Sequence, residues 1–389
     1  MPRTAFVSTY APHRCGIATF TFDLASAVGG REIVALHPAN GPGPYPPEVH
    51  HRIRRDVWAD YISAARALND CGVDVVSIQH EYGIWGGGDG AYVLDFVRAL
   101  RMPVVVTLHT VLSKPSHSQR QVLTDLINAA AATVVMSQTA ASLLTRNYGI
   151  EPTRVEIVPH GVPHLPFVAP DSVKPGLGLQ GRSVILSFGL LGPGKGYESV
   201  IAAMPAILEV VPDACYVVLG ATHPDLFHRE GEAYRRSLEA TAAALGVIDH
   251  VQFVDRFVGQ EELGRWLQAA DIFVTPYPNL DQIVSGTLAY AMGAGKAIVS
   301  TPYAYARERL AHGRGRLYPV GSDVALGESL IDLLRDPELR ALLGRRAYEY
   351  SRRMVWSEVG AEYRRVFARA AQSAGPFVAP LQQLAAIAG

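Results

Sequence analysis

Cysteine and lysine are scarce in this 389-residue chain: three cysteines, Cys15, Cys71 and Cys215, and four lysines among 35 basic residues. The cysteines lie far apart and form no C-x-x-C pair. That spacing argues against a structural zinc or iron–sulfur site and fits a reducing, cytoplasmic compartment. An excess of one charge is also missing. The 35 basic and 36 acidic residues leave a net charge of −1, and residues 1–165 hold 13 of each. No basic half is hidden in the balance, so a surface that coats nucleic acid is not expected. No apolar run reaches the roughly 18–20 residues of a membrane span. The longest, around Ile127–Met136, is short and rich in alanine. The amino-terminal MPRTAFVSTYAPHRCG lacks the apolar core of a signal peptide. No transmembrane segment is expected, while peripheral membrane contact and a homodimer both stay open.

What the chain does have is apolar residue, 49 % of the total. That is enough for full-size cores and argues against disorder as the main state. At about 150 residues per domain the length suggests two domains.

Short Val/Ile-rich runs alternate with helical patterns: TAFVST, EIVAL, VDVVSIQ, PVVVTLH, TVVMS and VEIVP in the first part. Continuous apolar runs of this kind are what a parallel sheet covered on both faces requires. Residues 160–183 then turn rich in proline and glycine and read as a linker. The alternation restarts with SVILSFG, CYVVLG, HVQFVD, DIFVTPY and AIVST. The reading is α/β: two doubly wound, Rossmann-like domains facing a central cleft. The first is expected over 1–165 and the second over 166–366, with the carboxyl-terminal helical stretch 367–389 packing back on the first. In such sheets ligands bind where strands end and loops begin. The loops at 10–17, 37–47, 80–90, 109–118, 160–164, 189–196, 221–230, 277–287 and 302–316 are therefore the candidate segments.

Several of these loops carry chemistry. In TYAPHRCGIATF, Gly16 lets a ligand approach a helix start, with His13 and Arg14 beside it; an ordinary tight turn explains it as well. QHEYGIWGGGDG offers His80, Glu81 and Trp85, residue types that stack on sugars or accept their hydroxyl protons. His109 ends the strand TLHT, and His160 lies in VPHGVP; either is equally readable as structural. The sharpest local pattern is SFGLLGPGKGYE, in which Gly189, Lys195 and Gly196 surround a strand-to-helix turn. Glycines expose backbone N–H groups and lysine adds a point charge, which suits a phosphate. Because glycine follows the lysine, it is not the P-loop of ATPases. In LDQIVSGTLAYAMGAGK, Gln282 leads through Ser285, Gly286 and Thr287 into a helix bearing Tyr290. Lys296 further on reads as a charge at a helix carboxyl end. No D-x-D pair or His/Asp cluster at metal-ligand spacing stands out, so no metal and no cofactor is expected.

Taken in order, these segments resemble the retaining glycosyltransferases of family 4, which have the GT-B fold. The resemblance runs over nearly the whole chain. SFGLLGPGKG resembles G-R-L-x-x-x-K-G, LAYAMGAGKAIVST resembles L-E-A-M-A-x-G-x-P-V-V-A-S, and VVMSQTAASLLTRNYGIEPTRVEIVPHGVP resembles the stretch that ends in N-G-V-D. It implies a metal-independent transferase of hexose, mannosyl or glucosyl, from a nucleotide diphosphate sugar to a carbohydrate or glycolipid acceptor. His109, Lys195 and Gln282 would be catalytic. Gly16, Gly189, Lys195, Gly196, Gln282, Ser285, Gly286, Thr287 and Tyr290 would bind the donor. His13, His80, Glu81, Trp85 and His160 would face the acceptor. The chain departs from the pattern at several places, among them His160, which stands where the N-G-V-D stretch has asparagine. The family's paired glutamates are Gln282 and Tyr290 here, and its diphosphate-binding arginine is Leu190. A phosphorylase of the same fold, or a sugar-binding homologue without catalysis, would tolerate these changes.

Overall fold

The computed structural model describes residues 1–373 except 31, 39, 40 and 42; residues 374–389 of the expected carboxyl-terminal stretch lie outside them. Its contacts divide the chain into two units, Met1–Pro159 with the chain from Val359 onward, and His160–Glu358.

Unit one holds seven strands: β1 (Thr4–Ser8), β2 (Glu32–His37), β3 (Val49–Arg54), β4 (Val75–His80), β5 (Val104–Leu108), β6 (Ala132–Val135) and β7 (Val155–Ile157). They form one parallel sheet in the order β3-β2-β1-β4-β5-β6-β7. The order reverses direction between β1 and β4, which is where a doubly wound sheet opens a ligand crevice. The connecting helices are α1 (Gly16–Val28), α2 (Trp58–Asp70), α3 (Tyr92–Ala99), α4 (His117–Ala129) and α5 (Gln138–Tyr148). β1, β4 and β5 are buried at every position, as the apolar residues that dominate them lead one to expect, with Ser77, Gln79 and His80 of β4 buried among them. β3 was missing from the sequence reading. Its segment VHHRIR buries only Ile53 fully, because an edge strand can face water and needs no apolar run.

Unit two holds β8 (Ser183–Phe188), β9 (Ala214–Leu219), β10 (Val251–Val254), β11 (Ile272–Thr275), β12 (Ala297–Ser300) and the two-residue β13 (Arg316–Leu317). They too form a parallel sheet, in the order β10-β9-β8-β11-β12-β13. Its helices are α6 (Tyr197–Val210), α7 (Pro224–Glu230), α8 (Ala233–Ala244), α9 (Gln260–Ala269), α10 (Gly286–Gly293), α11 (Ala304–Arg309), α12 (Asp323–Arg335) and α13 (Pro337–Ser351). The short α7 and α11 fall where the sequence suggested open loops. The last helix, α14 (Trp356–Gln372), lies mostly in unit one. There Phe367 meets Phe6 edge-on at 6.1 Å and the Tyr363 hydroxyl lies 3.0 Å from Thr107 Oγ1.

Within unit two the proline-rich segment is tied to the sheet by a charge cluster centred on buried Lys174 and Asp271, with Asp171 exposed at its rim. Lys174 Nζ lies 2.7 Å from Asp171 and 2.8 Å from Asp271. Asp271 also accepts a hydrogen bond from Val184 N at 2.7 Å. Lys296 is buried beside them and donates to the Gln268 and Ala270 carbonyls, at 3.0 and 3.2 Å. It closes the carboxyl end of α9, a helix that is not its own. Burial pushes its ammonium down to about 8, against the pull of Asp271. Removing one partner of such a cluster strands the opposite charge. Asp271→Ala is therefore expected to cost about 3–5 kcal/mol in urea unfolding; a loss below 1 kcal/mol would show the cluster to be incidental.

Candidate active site

The carboxyl edge of the unit-two sheet is assembled from three strand ends. After β8 the loop Gly189–Lys195 runs beside the turn that follows β9: Leu191 N donates to Ala221 O at 2.9 Å and His223 N to Leu191 O at 2.8 Å. Two glycines make this approach feasible. A Cβ at Gly220 would sit 2.0 Å from the Gly189 carbonyl oxygen, and one at Gly196 2.0 Å from the Pro276 oxygen. Gly196 also has φ +72°, left-handed backbone that favours glycine. The loop is thereby held against the segment after β11, and Lys195 is placed with Nζ 4.6 Å from the centre of the Tyr277 ring, in cation–π range. Tyr277 in turn stacks on Tyr303 at 5.4 Å.

Beside this platform begins α10. Ser285 is its N-cap and accepts from Leu288 N at 3.3 Å. Thr287 Oγ1 lies 2.8 Å from the Tyr277 hydroxyl and 3.1 Å from Ser285 Oγ. Gly189 approaches the same threonine, its absent Cβ 3.6 Å from Thr287 Cγ2. Lys195, Gly189, Gly196, Ser285, Gly286 and Thr287 are thus brought together with Tyr277. A cation, a glycine loop and a helix amino terminus on one sheet edge form a seat for an anion. Tyr277 was missed in the sequence, although its place in P-Y-P directly after an apolar strand was the available signal.

Gln282 lies, as expected, in the loop that leads into α10, and its side-chain amide donates to Val284 O at 2.8 Å. Tyr290 is only 6 % exposed and belongs to the core, with its ring 6.3 Å from Phe188 and 6.0 Å from His160. Eight apolar or small residues in a row leave α10 without a polar face, so the tyrosine has packing partners on all sides. His160 is also in unit two. Its Nδ1 donates to the Gly161 carbonyl at 2.7 Å and its Nε2 would meet a Cβ on Gly286 at 2.9 Å.

Unit one gathers its candidates on its own carboxyl edge. His109 Nε2 lies 2.9 Å from Gln79 Oε1, and Phe20 of α1 packs edge-on against the imidazole at 4.9 Å. His109 N donates to the His80 carbonyl at 2.9 Å. Glu81 accepts from the Thr110 hydroxyl, and burial raises its carboxyl above the usual range. Gly16 opens α1, with Cys15 as N-cap and open space where its Cβ would be. His13 N closes the turn onto Tyr10 O at 2.9 Å. Trp85, expected to offer a stacking face, is 3 % exposed and donates to Gln79 O at 3.1 Å. The glycine-rich loop folds back so that its ring fills the core beside Tyr61 and Phe96. His80 is fully buried, and neither of its ring nitrogens meets a hydrogen-bond partner among the described residues.

Known proteins match both units. A model described as "Glycosyl transferases group 1" matches residues 172–350, and one described as "Glycosyltransferase Family 4" matches residues 14–164. The chain belongs to this glycosyltransferase family. The chain is 27 % identical over 274 residues to a phosphatidyl-myo-inositol mannosyltransferase of Mycolicibacterium smegmatis, covering 70 % of this chain and 66 % of that protein. It is 27 % identical over 289 residues to a D-inositol 3-phosphate glycosyltransferase of Corynebacterium efficiens, covering 69 % and 66 %. The matched stretch thus spans just under two thirds of those relatives. Among solved structures, Anabaena HepE in complex with UDP superposes with a TM-score of 0.75 at 16 % identity, covering 94 % of this chain and 99 % of that one. Sucrose-phosphate synthase from Thermosynechococcus elongatus gives 0.76 at 17 %, with the same coverage. The fold is therefore GT-B. Among the described residues no three His, Cys, Asp or Glu side chains converge as metal ligands, and no helix is long and apolar enough to cross a membrane.

Burial holds both His80 and His160 down to about 4, from 6.5. Each is neutral when folded and takes up a proton sooner when unfolded. The stability each contributes is complete above pH 6.5 and is lost as pH falls toward 4. Together they make unfolding free energy drop by roughly 2–3 kcal/mol per pH unit near pH 5. His80→Gln is expected to remove about 1.4 kcal/mol per pH unit from that slope, measured by urea unfolding between pH 7 and 4.5. An unchanged slope would contradict the assignment.

Proposed function

We propose that the glycosyltransferase moves a hexose from a nucleotide diphosphate sugar to a hydroxyl acceptor, with retention at the anomeric carbon and without a metal ion. The observation that carries this reading is the grouping of Lys195, the Gly189–Gly196 loop and the capped start of α10 on one sheet edge. As the sugar C1–O bond to the diphosphate breaks, charge grows on the phosphate oxygens. A preorganised ammonium and backbone N–H groups stabilise that charge without reorganising. The acceptor oxygen bonds to C1 on the face the phosphate leaves, and its proton passes to the departing phosphate. No second carboxylate is needed for such a step, in contrast to glycoside hydrolysis.

The unit-one edge, with His109 and the loop at Glu81, is assigned to the hydroxyl-bearing substrate. The relatives' names indicate which substrates to try first: mannosyl donors, and acceptors that carry an inositol or a glycolipid. Gln282, whose amide is committed to Val284 O in the ligand-free protein, is placed to turn toward sugar hydroxyls. Tyr290 contributes packing beneath the donor site in place of the family's ribose-binding carboxylate.

Lys195→Ala is expected to cut turnover at least tenfold, since a charge-assisted hydrogen bond to phosphate is worth about 1.5–3 kcal/mol, and to leave the melting temperature within a few degrees. The assay uses GDP-mannose, UDP-glucose and inositol-bearing acceptors, with and without EDTA. Near-normal turnover in the variant, or activity abolished by EDTA and restored by Mg²⁺ or Mn²⁺, would overturn the proposal.

A further inference from the structure

Tyr350, the penultimate residue of α13, is met by arginines from three parts of unit two. Arg309 closes α11, and its Nη1 donates to the Tyr350 hydroxyl at 2.8 Å. Arg314, in the turn before β13, and Arg353, just after α13, lie over the Tyr350 ring. Their guanidinium carbons are 4.1 and 4.2 Å from its centre. Arg346 precedes Tyr350 by one helical turn and packs on the turn that carries Arg314: a Cβ on Gly313 would lie 2.5 Å from its Nη1. Arg309 is 3 % exposed, Arg314 and Tyr350 are partly buried, and Arg346 and Arg353 are exposed. The cluster therefore has a fixed floor and an open rim.

Negative charge is short here. Arg309 has Glu308 at 3.6 Å. Arg314 donates to two carbonyls, from Nε to Arg309 O at 2.6 Å and from Nη2 to Glu308 O at 3.2 Å. Among the described residues Arg314, Arg346 and Arg353 form no ion pair. The crowding of cations is felt by two groups. Burial, with Arg309 and Arg353 beside it, pulls the Arg314 guanidinium below its usual value, against the opposing effect of Tyr350. Burial alone would raise the Tyr350 phenol, but Arg309 and Arg353 outweigh it and hold the phenol below its usual range. Packing accounts for one guanidinium on a tyrosine ring; four arginines with one paired carboxylate leave charge and donors without a match.

We propose that these four arginines form a second anion site on unit two, one that takes a phosphate group. It shares no residue with the seat at Lys195. Guanidinium forks match phosphate oxygens in pairs. One phosphate also offers enough oxygens to engage arginines from several elements at once, which a carboxylate with two oxygens does not.

The test is calorimetric titration of the full-length protein with inorganic tripolyphosphate at physiological ionic strength, which screens loose surface attraction. Lys195→Ala serves as the starting protein, so that the seat after β8 is weakened. It is expected to bind tripolyphosphate. Adding Arg353→Gln, at an exposed position, is expected to weaken that binding at least tenfold and to leave the melting temperature within a few degrees. In ring-labelled protein the ¹H–¹³C signals of Tyr350, assigned from Tyr350→Phe, are expected to move during the titration. No binding, binding unchanged by Arg353→Gln, or Tyr350 signals that stay in place at saturation would overturn the inference. Sedimentation with phosphatidylcholine vesicles, with and without phosphatidylglycerol, separates the sources. Pelleting that needs both phosphatidylglycerol and Arg353 identifies a lipid phosphate, and no pelleting identifies a soluble one. None of these readouts needs turnover, so the outcome stands apart from the transferase reading.

Discussion

The placement of the Lys195 loop depends on the contact between Gly196 and the Pro276 carbonyl. No residue with a Cβ fits there, for the atom would lie 2.0 Å from the oxygen. This contact fixes the end of the loop after β8 against the segment after β11. The lysine one residue earlier is consequently held over Tyr277, and α6 starts at Tyr197. Fixing the loop also presents the start of α10 and the glycine loop to the same volume. Electrostatic catalysis depends on such prior placement, because charges that must move to meet a transition state lose much of their benefit.

Lysine is used sparingly in this chain, and its positions divide the work in unit two. Lys174 and Lys296 are buried around Asp271 at the amino-terminal end of β11 and serve the fold. Lys195 lies at the opposite, carboxyl edge of the sheet, in the loop after β8, and is only partly buried. A parallel sheet enforces this separation: its amino edge carries packing and linker attachment, while its carboxyl edge is left for ligands. In unit one the same rule gathers His109, Gln79 and Glu81 at the strand ends.

Much of this was legible before the structure. The alternation of apolar runs and helical patterns pointed to both sheets, since strands covered on two faces are mostly apolar. The glycine–lysine loop was legible because glycine at a strand-to-helix turn has a specific conformational use. β3 was hidden, because VHHRIR is an edge strand whose pattern alternates instead of running apolar. Trp85 and Tyr290 were read toward ligands because aromatic residues serve sugars and cores equally well, and sequence does not say which way a ring turns. Gln79 was missed for the complementary reason: its partner, His109, is 30 residues away, and only the pairing of β4 with β5 brings them together.

The central claim is that the unit-two edge recognises a diphosphate through Lys195, the glycine loop and the α10 amino terminus. Calorimetric titration of the ligand-free protein with GDP, UDP and the corresponding monophosphates tests it directly. The account predicts that at least one diphosphate binds tenfold or more tightly than its monophosphate, as expected when a second phosphate adds about 1.4 kcal/mol or more of charge-assisted bonding. Equal affinity for the two, or no binding of any diphosphate, would contradict it.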